Sequence, residues 1–116
     1  MTDYFGGRIA LDTTSVTIAQ GATVSSAIDM RGQAMVAILL PSALTGTTMS
    51  FKGSWDGTNF YDAYNTSGTP LSIAVSTNRW VFFTATDFVA LDYLQLVSGS
   101  AEAGARTIIV KTRSLT

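Results

Sequence analysis

Polar and apolar residues alternate with a period of two along most of this chain. Val16 and Ile18 alternate with Thr17 and Ala19, and Leu71, Ile73 and Val75 with Ser72, Ala74 and Ser76. Val24, Ser26 and Ile28 alternate with Thr23, Ser25 and Ala27, while Met49, Phe51, Gly53 and Trp55 take one parity against Thr48, Ser50, Lys52 and Ser54. Successive side chains of a strand point to opposite faces, so this pattern specifies half-buried strands in antiparallel sheets. Turn residues interrupt it at short spacing: Gln20-Gly21-Ala22, Arg31-Gly32-Gln33, residues 41–46, Asp56-Gly57, Ser67-Gly68, Thr77-Asn78 and residues 98–104. Asp-Gly between alternating segments is the strongest hairpin signal among them. The strands expected are 15–19, 23–29, 34–40, 47–55, 59–64, 70–76, 79–83, 91–97 and 106–112.

Three runs are apolar on both parities, at 35–40, 80–83 and 108–110, and read as strands covered on both faces. No stretch sustains a helical period; residues 84–90 have the composition of a single turn capped by Thr86 or Asp87. Eight to nine strands in 116 residues imply an all-β antiparallel sandwich of jelly-roll type. Residues 1–13 read as an N-terminal arm and lead-in, and residues 14–116 as a single domain.

Composition narrows the function. The chain has no His and no Cys, which removes the commonest general base, thiol nucleophiles, disulfides and thiolate metal sites. Only 13% of residues are charged and the net charge is −1, so no overall field favours nucleic acid or an anionic membrane. Ser and Thr make up 29 of the 116 residues, giving a neutral, hydroxyl-rich surface. The longest apolar run, residues 34–40, is far short of the roughly 20 residues of a membrane helix. The first eight residues lack the basic start and apolar stretch of a signal peptide, so synthesis in the cytoplasm without export is expected. The acids Asp3, Asp12, Asp29, Asp56, Asp62, Asp87, Asp92 and Glu102 are scattered; Asp29, Asp56 and Asp87 sit beside turns or strand ends, where Asp bonds backbone. No calcium-type loop occurs. The reading is a chain that is not an enzyme and carries no cofactor or metal.

The aromatic residues carry the most information. Phe51, Trp55, Phe60, Tyr61, Tyr64, Trp80, Phe82 and Phe83 cluster in mid-chain. With Phe51, Trp55 and Phe60 inward, Tyr61 faces out, and the run from Trp80 to Phe83 puts rings on both faces. These residues form a core with one sheltered outer cluster, an interface patch, or a platform for sugar rings. The arm carries Tyr4 and Phe5 before a Gly6-Gly7 hinge, and either folds back on its own domain or docks on a neighbour.

A family resemblance rests on the order of these turns and strands. It runs from residues 15–25 and 27–32 through residues 38–51, then Ser54-Trp55-Asp56-Gly57-Thr58-Asn59-Phe60, to Leu94-Gln95-Leu96-Val97-Ser98-Gly99-Ser100. Over residues 14–112 the chain resembles small β-sandwich proteins encoded among the structural genes of tailed bacteriophages, in particular the capsid cement or decoration proteins of short-tailed phages. The resemblance implies a jelly-roll subunit on the outer surface of the capsid in the virion. It would stabilise the shell by clamping neighbouring copies of the major capsid protein, and would self-associate as a homodimer or homotrimer. It implies no catalytic residues. The contact anchors expected are Tyr4, Phe5, Tyr61, Tyr64 and Trp80, with Arg8 and Arg79 as polar partners. A carbohydrate-binding β-sandwich module and a tail or baseplate component are the alternatives.

Overall fold

A computed structural model describes residues 11–84, 88 and 90–114. Among the described residues nine strands follow one another: β1 Leu11–Ile18, β2 Ile28–Asp29, β3 Gln33–Leu40, β4 Thr48–Ser54, β5 Tyr61–Asp62, β6 Ser72–Ala74, β7 Arg79–Phe82, β8 Tyr93–Ser98 and β9 Arg106–Ser114. One sheet has the order β1-β9-β3-β7; the other has the order β2-β8-β4-β5, with β6 also paired to β4. All pairings are antiparallel. The partners close in from both ends of the chain: β1 with β9, β2 with β8, β3 with β7, and β4 with β5 and β6. That is a long hairpin rolled up so that β9 also meets β3 and β8 also meets β4, the jelly-roll wiring expected. β5 and β6 are two halves of one strand broken by the turn in which the Asn65 carboxamide oxygen accepts the Ser67 and Thr69 N–H groups.

The core lies between the sheets. Val16, Ile18, Met35, Ile38, Leu40, Ile108 and Val110 come from one side, and Ile28, Met49, Phe51, Leu94 and Leu96 from the other, all buried. Register keeps each set on one face: Val16 lies opposite Ile108, Ile38 opposite Val110, and Phe51 opposite Leu96. Met35 and Ile38 are three residues apart, yet both are buried, because the β3–β9 register shifts between Met35 and Ala37. The extra residue, Val36, resets the parity. Phe51, Phe83 and Phe88 pack edge to face, with centroids 5.1–5.8 Å apart, and close one end of the core.

Several expectations need correction. The strand expected at 23–29 shrinks to β2. Ahead of it the chain bends between the sheets, with Ser25 bridging Ile18 of β1 and Val24 bridging Val97 of β8. Residues 11–13 belong to β1, paired with residues 111–113 of β9, rather than to an arm. Trp55 does not point inward: it is 76% exposed, while Ser54 is buried. The alternation fails there because the turn has begun, and the Ser54 hydroxyl accepts the Asp56 and Gly57 N–H groups. The run at 80–83 is not covered on both faces, since Trp80 and Phe82 stay exposed. The turn expected at 84–90 lies mostly outside the described residues, Thr86 and Asp87 included.

Candidate interaction surfaces

Among the described residues two separate aromatic patches reach solvent. The first is the outer face of the four-stranded sheet. Along β7, Trp80 and Phe82 share the outward parity and stack, with ring centroids 6.2 Å apart and planes 11° from parallel. They lie beside Leu39 and Ala37 of β3, which in turn face Ile109 and Lys111 of β9. A shallow apolar groove of about 360 Å³ runs between Leu11, Val36, Ala37, Trp80, Phe82 and Lys111. Phe82 is 77% exposed and Leu11 61%. An unpaired apolar face on a small sandwich is the usual mark of a docking surface.

The second patch is the β4–β5 hairpin end. Trp55 and Tyr61 are both exposed there. An open slot of about 250 Å³ separates Trp55, Tyr61 and Asp62 from Ala90 and Leu91. Tyr61 pairs with Gly53 and therefore takes the inward side of the strand, not the outward side expected; it remains exposed because this slot opens to water. Polar groups frame the rings. Lys52 donates to Asp62 across the strands at 2.8 Å. The Asp56 carboxylate accepts the N–H groups of Asn59 and Thr58, the Asn59 side-chain amide and the Ser54 hydroxyl, which hold it well below the usual carboxylate range.

The expected anchors thus divide. Tyr61 belongs to the hairpin patch and Trp80 to the sheet-face patch, with Arg79 exposed at the start of β7; Tyr64 is exposed apart from both, bridging Pro70. Tyr4, Phe5 and Arg8 lie outside the described residues. Sequence reasoning missed Leu11, Trp55 and Phe82 as surface rings and side chains. For Phe82 the signal was present, since it shares parity with Trp80; for Trp55 it was misleading, because the alternation extends one residue past the strand.

Among the described residues one carboxylate is buried, and no local pattern announces it. Glu102, the single glutamate, is 1% exposed. Its Oε1 accepts the Thr45 N–H at 2.8 Å and the Arg106 Nε–H at 3.1 Å; its Oε2 accepts the Gly46 N–H at 3.0 Å and the Ser98 hydroxyl at 2.7 Å. Burial pushes this carboxyl up, but the bonds from Thr45, Ser98, Gly46 and Arg106 outweigh it and hold the group down at about 2. Each oxygen already has two donors, so the group is a structural tie and not an acid or base with a free lone pair. Asp29 and Asp56 bond turn backbone as expected. Among the described residues no three acidic side chains gather as a metal site would need.

No family model and no curated protein matches this chain. Solved structures do. A SPBc2 prophage-derived protein, YomS, superposes with a TM-score of 0.55 at 15% identity, over 90% of this chain and 96% of that one. A protein from Bacillus endospore appendages, which form a novel family of disulfide-linked pili, gives 0.46 at 22% identity, over 98% of this chain and 96% of that one. The Yersinia pseudotuberculosis-derived mitogen YPM gives 0.38 at 13% identity, over 92% and 86%. At these identities the likeness to YomS is one of fold: a β-sandwich of similar size, found in a prophage product.

Proposed function

We propose that the chain is a structural protein of a bacteriophage particle, and within it a decoration protein that binds the outer face of the capsid and clamps neighbouring major capsid subunits. The observation that carries this reading is the pair of separate exposed aromatic patches on a weakly charged jelly roll. Stacked and solvent-facing rings are the side chains that anchor protein contacts. Two patches on one small subunit suit a protein that must span a seam. Individual contacts can be modest, because a symmetric lattice repeats them. The fold shared with a prophage-derived protein supports the particle context.

In this reading Trp55 and Tyr61 face the capsid, and copies of the chain associate as dimers or trimers. The test mixes the purified chain with expanded capsids of the encoding phage assembled without it. Saturable binding at a copy number set by the shell lattice, together with raised resistance of the capsid to heat, is the expected result. The double variant W55S/Y61S should fold and bind far more weakly. A copy number matching a tail ring would move the protein to the tail or baseplate. The same hairpin rings beside Asp62 also suit a sugar platform, so specific hits on a glycan array with no capsid binding would replace the decoration reading.

A further inference from the structure

Among the described residues the four-stranded sheet has β1 at one edge and β7 at the other, and hydrogen bonds show which way each edge turns its backbone. The Thr17 carbonyl accepts the Ser26 N–H at 3.1 Å, and the Thr17 N–H donates to the Ser26 hydroxyl at 3.4 Å, so Thr17 turns its backbone away from β9. Backbone groups alternate in direction along an antiparallel strand. Ser15, Thr13 and Leu11 therefore turn theirs the same way, with no backbone partner among the described residues. On the other edge the Phe83 N–H donates to the Val36 carbonyl at 2.8 Å, so Val81 and Arg79 face β3, and Phe82 and Trp80 turn their backbone groups outward. We propose that copies of the chain join these two edges head to tail, β7 of one copy adding to β1 of the next.

Topology, apolar cover and charge agree at this junction. Four antiparallel strands leave β1 and β7 running in opposite directions. Copies set side by side in one orientation thus pair antiparallel, as the strands within each copy do. Leu11 lies on the outer face at one edge, and Trp80 and Phe82 lie on that face at the other, all exposed. One contact covers all three. Setting Leu11 against Phe82 and Thr13 against Trp80 matches the outward-turned groups of both strands. It also places Arg79 opposite Thr14 and diagonal to Asp12, at the roughly 7–8 Å that long side chains can span. Neither Asp12 nor Arg79 has an ion pair among the described residues. A register slipped by two residues would instead set Arg79 against buried Val16. A two-fold contact of β7 with β7 would leave Leu11 and Asp12 uncovered. Head-to-tail contacts close into rings or run on as filaments. The junction rests on the self-association proposed above and not on capsid binding through Trp55 and Tyr61.

The chain has no cysteine, so a disulfide can report the junction. Thr14 and Arg79 are both exposed. Within one chain three inter-strand steps, through Val110, Ile38 and Val81, hold them about 14 Å or more apart, too far for a disulfide. Full-length T14C mixed with full-length R79C should form the mixed dimer under mild oxidation, roughly tenfold faster than either variant alone forms its own dimer, because docking raises the effective concentration. A second measurement leaves both edges without cysteine. Thr13→Pro removes only an outward-turned N–H, so the variant should fold with an unchanged far-UV spectrum. In sedimentation velocity the average mass of the unaltered chain should rise with concentration above 12.3 kDa, while T13P stays at the mass of one chain. R79C dimers forming as fast as the mixed dimer, no cross-link between T14C and R79C, an unaltered chain that stays monomeric, or T13P associating as the unaltered chain does would each overturn the proposal.

Discussion

Glu102 and Asp56 are both carboxylates that organise a turn, and they do so at opposite ranges. Asp56 bonds residues two and three positions away, Ser54, Thr58 and Asn59, and is exposed. Glu102 binds Thr45 and Gly46, 57 and 56 residues earlier in the chain, along with its neighbours Ser98 and Arg106, and is buried. Through its backbone it also pairs with Gly21 and Ala22. Asp56 shapes a hairpin that its own segment already favours. Glu102 joins three loops that nothing local brings together. The exposed group competes with water at every bond, and the buried one does not, so the long-range tie should carry far more of the stability.

The largest expected effect breaks that tie. Glu102→Ala leaves Arg106 and two backbone N–H groups without their acceptor, at a cost of about 3–5 kcal/mol. Urea unfolding should show it as a fall in midpoint. Asp56→Ala should move the midpoint much less, and equal losses would erase the distinction drawn above. Next in size is Gly46→Ala. A Cβ there collides with the Ser98 hydroxyl and crowds the Glu102 carboxylate, so about 1–3 kcal/mol should be lost as overpacking. Gly57→Ala, in the Asp56 turn, costs about 1–2 kcal/mol because its φ of 78° is left-handed. Thermal unfolding ranks the two.

Acid sharpens the same comparison. Glu102 titrates at about 2 in the fold against an ordinary 4.5. A depressed carboxyl contributes its full stability above its unfolded value, and loses it as pH falls from about 4.5 toward 2. The expected result is a decline in stability across that window which Glu102→Gln flattens more than Asp56→Asn does. Added salt should weaken the Asp56 share and leave the Glu102 share nearly unchanged. The smallest expected effect is at the surface: Trp55→Ser should alter stability by no more than about 0.5 kcal/mol, while still weakening partner binding.

Legibility followed the range of the interactions. The Asp56-Gly57 hairpin and the strands β3, β4, β8 and β9 were readable, because each is written in the parity and turn residues of its own segment. The break between β5 and β6 was marked by Asn65 and Ser67-Gly68. The outward placement of Trp55 was not readable, since parity does not say at which residue a strand gives way to its turn. The Val36 bulge was hidden within an unbroken apolar run. Of the surface rings, Tyr61, Tyr64 and Trp80 were picked out by ring type, but the separation of Tyr61 from Trp80 into two patches was not.

What the sequence determined by itself was the period of two, the turn positions and the absence of His and Cys, and from these an antiparallel sandwich without thiol or imidazole chemistry. These are properties of neighbouring residues, fixed by which way successive side chains point along a strand. Only the tertiary structure decided that Glu102 would be buried, that one sheet would present Trp80 and Phe82 to water, and that Leu11 would stand at the edge of their groove. The reason is physical: burial depends on what lies opposite a residue across the sandwich, and rolling the hairpin up brings together residues that are tens of positions apart.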